Sequence, residues 1–293
     1  MTFSAIQSEW LKTWKRPLTL WVIGILLVVV FIRPPLMAGL SRYFVIDTAQ
    51  GFRIWVGSLP EEAIIIGQQI REQMTLPGAI PIALESAMGL ARVLLVILGA
   101  ALAGSEFTWG TARHLVGRTR DRLSFISGKL VVITLLILLL ISAGCVVGTL
   151  SGGSITPIFS NGITWDFLTP GLFLRLPLAL FYATLSVLPY ALLAFTLALV
   201  TRSTVVGVSV GLLMLIISEP IFAAILASLP QAWNQLVHYI PYTAVRVLGD
   251  WMETLIGGAA TEYVLRAVVV LVGHTLAWAG LALVYFRRRE LPA

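Results

Sequence analysis

Hydrophobic positions in this chain fall in long unbroken blocks, not in the short alternations or narrow stripes that mark a water-soluble core. Six blocks, at about residues 18–40, 81–104, 130–151, 171–200, 203–228 and 263–286, reach the roughly 20 apolar residues that an α-helix needs to cross a bilayer. The pattern predicts an all-α, polytopic membrane protein of about six transmembrane helices. The first block is the least regular. Its uninterrupted part, Leu18 to Ile32, rises about 22 Å, so the helix continues past Arg33-Pro34-Pro35 to complete the crossing. The fourth is long enough to tilt, and Pro189 can kink it.

Between the blocks the pattern changes period. Residues 3–16 place Phe3, Ile6, Trp10, Leu11 and Trp14 on one helical face and Glu9, Lys12 and Lys15 on the other. Tryptophan favours the headgroup layer and lysine the anionic lipid surface, so 1–17 reads as an interfacial helix. In the loop 41–80, Ser58-Leu59-Pro60-Glu61 has the form of a capping box. It precedes a stripe of Ile66, Ile70 and Met74, which predicts a short amphipathic helix ended by Leu76-Pro77-Gly78. The loop 229–262 carries Trp233, Tyr239, Tyr242 and Trp251, which suit a membrane–water interface. Small residues recur every fourth position at Gly144, Gly148 and Gly152 and at Gly207 and Gly211, where helices can approach closely.

Composition agrees: the chain is 58% hydrophobic and 12% charged, roughly half the charged share of a soluble domain. Charge placement then sets orientation. With the N-terminus inside, the inner segments 1–17, 105–129, 201–202 and 287–293 hold 12 Lys and Arg in 51 positions, whereas the outer loops 41–80, 152–170 and 229–262 hold four in 93. The positive-inside rule therefore expects both termini in the cytoplasm of a cell membrane, with 105–129 as a cytosolic loop. The net charge of +6 follows this topology and gives no reason to expect nucleic acid. A cleaved leader over residues 1–40 fits poorly, because its basic lead is itself an amphipathic helix.

Candidate chemistry is sparse. Cys145 is the single cysteine, and His114, His238 and His274 lack metal-ligand spacing, so neither a disulfide framework nor a metal site is expected. Nor do paired intramembrane aspartates or a nucleophile–base constellation point to a membrane-embedded enzyme. The informative stretch is 104–129. Thr111 can cap a short helix that Gly117 ends, Arg118 to Arg122 return the chain to the membrane, and Lys129 anchors the third span. That is a compact helix held out on a basic loop, the form of a docking element.

Here the sequence resembles the permease subunits of ABC-2 type ABC transporters. The resemblance rests on Ser105-Glu106-Phe107, on Gly110-Thr111 followed by Arg113 and Leu115, and on Arg122 and Gly128-Lys129; Trp109 and His114 are this chain's own variation within the motif. The N-terminal interfacial helix, the long first outer loop and the six spans also fit. The resemblance implies a half-transporter that pairs with a second permease copy or a paralogue. It also implies a separate ABC ATPase subunit, which carries ATP and magnesium and docks on Glu106, Trp109, Gly110, Thr111, Arg113, His114 and Leu115. The chain itself has no Gly-x-x-x-x-Gly-Lys-Ser/Thr loop, so it is expected to be a transport subunit without a cofactor of its own, not an enzyme. Most such permeases export their substrates, and the first and fifth spans would line the dimer contact and pathway.

Charges inside the spans are the remaining candidates, since a charge in the bilayer is expensive and is usually paired or functional. Arg175 and Arg266 lie near span ends, where they can snorkel. Glu85 lies about one turn in, and Arg92 lies about 16 Å deep, near the midplane. Arg33 and Glu219 both lie about 22–24 Å from the inner ends of spans one and five, each beside a proline. This depth match leads us to expect an Arg33–Glu219 pair, either an external gate or a static packing pair. His274, midway through span six, reads as a packing residue. An ion-coupled secondary transporter or channel is the alternative, although the inverted repeats usual there are not visible.

Overall fold

A computed structural model describes residues 3–41, 44–47, 53–56, 61–108, 122–159, 165–256 and 263–288. Helices dominate it, and six are long and apolar enough to cross a membrane. The chain is a multi-pass helical membrane protein.

An N-terminal helix α1 (Phe3–Trp14) leads through Arg16 into α2 (Pro17–Leu40), whose first residue is a proline that needs no helical donor. Pro34 and Pro35 lie inside α2, yet the helix continues to Leu40, as the length argument requires. The fold is all-α, as expected, and its first long loop carries a small two-stranded antiparallel hairpin, β1 (Phe44–Asp47) and β2 (Arg53–Val56), with Phe44 opposite Val56 and Asp47 opposite Arg53. The amphipathic helix α3 (Glu61–Met74) follows, with Met74 buried against Ala38 and Ile155. The Ser58–Pro60 part of its expected capping box lies outside the described residues.

The second and third spans run past their apolar cores. Helix α4 (Ala79–Thr108) has 30 residues and α5 (Arg122–Phe159) has 38. At 1.5 Å per residue these are about 45 and 57 Å long, against a hydrocarbon thickness of about 30 Å. Helix α6 (Pro170–Thr201) starts from Thr169, whose side chain accepts the Leu172 N–H, and it is buried almost continuously from Ala183 to Leu199. It forms the centre of the bundle and packs chiefly on α4. A two-residue turn with Arg202 in the left-handed region leads to Ser203, which caps the fifth span.

That span, Thr204–Ser228, is interrupted: α7 (Thr204–Leu213) passes into a π-helical turn (Met214–Ser218) before α8 (Glu219–Ser228). Pro220 has no N–H to offer the preceding turn, and the Glu219 N–H reaches Met214 O, so the ladder widens where the proline would break it. After a short helix α9 (Gln231–Asn234) comes α10 (Pro241–Glu253), and the last span is α11 (Val264–Arg288).

The loop aromatics do not all remain at an interface. Helix α10 turns back into the bundle and buries Pro241, Ala244, Val245, Leu248 and Met252, one helical stripe, against α11, α6 and α4. Trp251 meets Tyr182 edge-on at 4.9 Å between ring centres.

The small residues work within the chain. A Cβ on Gly144 would lie 2.7 Å from Ala87 and on Gly148 2.6 Å from Ala83, and one on Gly152 would run into Ala79. The glycine stripe of α5 thus meets an alanine stripe on α4, with Leu26 and Val30 of α2 closing in beside it. Gly207 and Gly211 likewise admit the Ala194 turn of α6.

Candidate functional site

Two regions bear on the expected sites. The first is the root of the loop between α4 and α5. Residues 109–121, and with them Trp109, Gly110, Thr111, Arg113, His114 and Leu115, lie outside the described residues, as does the Glu106 side chain. The helices on either side are described, and α1 is fastened to both. The Lys129 ammonium, at the start of α5, lies 3.1 Å from Glu9 Oε2 and donates to the Leu102 carbonyl of α4 at 3.1 Å. Both side chains are buried, 3% and 5% exposed. Lys12 holds the other Glu9 oxygen at 2.7 Å, and Lys129 also lies over the Phe125 ring. From the α1–α2 junction, Arg16 donates to Ser105 Oγ at 2.9 Å.

Sequence reading assigns Glu9 to the polar face of a surface helix and Lys129 to a lone anchor. The structure joins them into an ion pair under α1. Burial pushes the Glu9 carboxyl up, but Lys129 and Lys12 outweigh it and hold the group below the ordinary carboxylate value. The Phe286 ring of α11 packs on Phe125, so the last turns of α11 reach this same end of the bundle.

The second region is the polar cluster inside the spans. The expected Arg33–Glu219 pair does not form within the chain. Arg33 donates to Ser86 on α4, whereas Glu219 Oε2 accepts the Tyr190 hydroxyl at 2.7 Å and the Tyr242 backbone N–H at 3.0 Å. Depth fixes one coordinate of three. Helix α2 packs on α5, α4 and α3, while α8 packs on α10, so the matched charges face different neighbours.

The arrangement around Glu219 follows from local structure. Ile240 precedes α10 and has no side chain able to cap it, so the first N–H groups of that helix need an acceptor. Glu219 supplies one from another helix, and its charge is favourably placed at the N-terminal end of the α10 dipole. Arg92, on α4, lies near Tyr190, Tyr242 and Glu85. It makes no hydrogen bond among the described residues, and its Nε is buried without a partner. Glu85 in turn lies beside the end of α10, where burial, Glu85 and Asp250 push the Glu253 carboxyl up. Arg92 and Glu219 therefore gather around Tyr190 and the start of α10, Glu85 lies between Arg92 and the end of that helix, and Arg33 stands apart.

His274 joins this group on the far side of Glu219. Its Nδ1 lies 2.9 Å from the Val270 carbonyl and donates there, which leaves Nε2 as the free edge. Sequence reading passes over Tyr190, assigns Tyr242 to an interface, and gives no sign of this use of His274. A tyrosine within an apolar run gives little signal, and a backbone N–H gives none. Of the charges near span ends, Arg175 reaches the Thr254 carbonyl at 3.5 Å and Arg266 lies 4.6 Å from the Tyr263 ring centre. A cavity of about 610 Å³ adjoins the cluster, lined by Glu219 and His274 together with Tyr190, Phe222, Tyr239 and Trp278.

A family model described as "Protein of unknown function (DUF2705)" matches residues 67–291, which take in the second to sixth spans. The comparison with curated proteins gives no match.

Proposed function

The chain belongs to the DUF2705 family, and we propose that it is the membrane-spanning permease subunit of an ABC-2 type ATP-driven transporter. A separate ATPase subunit docks on the loop helix at 105–117 from the cytosolic side and supplies the energy, and the direction is export. The second permease half is another copy of this chain or a paralogue.

The observation that carries this reading is the construction at the root of the loop. Helices α4 and α5 are continuous over about 45 and 57 Å, and a buried ion pair and an arginine bridge tie α1 across their shared end. A push delivered to the loop therefore moves two spans and the interfacial helix as one piece. A loop that merely connected two spans would need neither the helical overhang nor the buried ties.

Co-expression with a lone ATPase encoded beside this chain, followed by purification through a tag on this chain, tests the proposal. A stable complex that hydrolyses ATP is expected, and replacing Glu106, Thr111 and Arg113 together abolishes it. A chain that purifies as a folded protein and binds no ATPase overturns the reading. Ion-coupled transport is the second reading, favoured by the Arg92–Tyr190–Glu219–His274 cluster in the membrane. Transport that persists without ATP would decide for it.

A further inference from the structure

The cavity beside Glu219 is built unlike a lipid crevice. Its wall is apolar and aromatic, with Tyr190, Phe222, Tyr239 and Trp278 supplying ring faces and edges, and it holds one carboxylate. Both donors to that carboxylate are neutral, a phenol O–H and a backbone N–H, and both go to Oε2. Among the described residues Oε1 has no hydrogen-bond partner, and it is not sealed from the cavity. Among the described residues no cationic side chain lies within ion-pair distance of it. His274, whose Nδ1 is engaged by the Val270 carbonyl, also lines the cavity.

A carboxylate flanked by aromatic rings in an apolar cavity is the chemistry that recognises an organic cation. The carboxylate acts as counter-ion, and the ring faces stabilise the positive charge by cation–π attraction, which strengthens when water is excluded. The volume lies within the range of small-molecule sites. The route in is also defined. Among the described residues spans five and six share few contacts beside the cavity, and Phe222 and Tyr239 are exposed at its mouth, so it opens sideways between the two helices. An apolar wall of this kind favours a hydrophobic ligand.

We propose that this cavity binds a hydrophobic organic cation, with Glu219 Oε1 as its counter-ion and the aromatic wall as its cage. In a permease it is a cargo site, and that role alone rests on the proposed function. Binding is read on the purified chain without any ATPase, so the two claims fail separately.

The test is equilibrium dialysis of the full chain in lipid nanodiscs against tetraphenylphosphonium, with neutral triphenylphosphine oxide as the comparison ligand. Saturable binding of the cation is expected, at least tenfold tighter than that of the neutral compound. Glu219→Gln keeps an oxygen for Tyr190 and Tyr242 but removes the charge, and it should weaken cation binding at least tenfold. Met214→Trp adds bulk to the cavity wall from the π turn without altering the Glu219 side chain and should weaken cation binding at least tenfold. Thermal melting identifies which variants are folded, and Met214→Trp decides if Glu219→Gln is not. Unchanged cation binding by either folded variant, or equal binding of the neutral compound, overturns the proposal.

Discussion

Glu219, from the fifth span, accepts the backbone N–H of Tyr242 in the first turn of the re-entrant helix α10, at 3.0 Å. One side chain thereby sets where α10 starts and how far it enters the bundle. The same oxygen takes the Tyr190 hydroxyl, so three separate segments meet at one atom.

Removing that acceptor should be costly. Glu219→Ala leaves a buried phenol and a helix N-terminus unsatisfied, and we expect a loss of about 2–4 kcal/mol. Tyr190→Phe removes one donor only and should cost about 1–2 kcal/mol. Thermal melting of the two purified variants checks the order, which fails if Tyr190→Phe is the worse.

Arg92 should behave in the opposite way. Its Nε is buried without a hydrogen-bond partner among the described residues, and exchanging buried charges for packed apolar groups often stabilises by about 1–4 kcal/mol. Arg92→Met is expected to melt higher than the wild type and to transport less. A lower melting temperature would mean that the arginine serves the fold.

The tie between α1 and α5 should depend on pH. The Glu9 carboxyl is held below its ordinary value, so folding gains stability from it above the unfolded value, and that gain is lost as pH falls through the lowered folded value. We expect α1 to detach under acid, read as a lengthening distance between spin labels on α1 and α5. Glu9→Gln should show the longer distance already at neutral pH. Labels that stay close in that variant at every pH would show that the helix is held by its apolar face alone.

Close packing on α5 gives a paired prediction. Gly148→Val drives atoms into Ala83 and Val30 and should cost about 1–3 kcal/mol, whereas Gly280→Ala meets nothing within 4 Å and should be neutral. Melting curves of the two variants distinguish them, and equal stability would mean that the helices move apart freely.

The spans were legible because the bilayer demands a long apolar block, a signal that few other structures imitate. Cross-helix partners were not. Glu9 reads as a surface residue because it shares a helix with Lys12 and Lys15, and nothing along the chain links it to Lys129. Re-entry of α10 was written in the stripe Pro241, Ala244, Val245, Leu248 and Met252, but Tyr242 and Trp251 between those positions pull the reading toward an interface. Arg33 and Glu219 agree in depth, which says nothing of azimuth, and their helices face different neighbours. The expected docking residues from Trp109 to Leu115 lie outside the described residues.

The pair between Glu9 and Lys129 also orders the birth of the molecule. Glu9 is synthesised early, and Lys129 follows only after two spans and the loops between have been made. At about 5–20 residues per second, the first helix waits on the order of ten seconds for its counter-charge. During that interval its carboxylate stays hydrated and its tryptophans rest in the headgroups. When the third span arrives the carboxylate leaves water for Lys129, while Leu11 and Trp14 on the apolar face stay exposed.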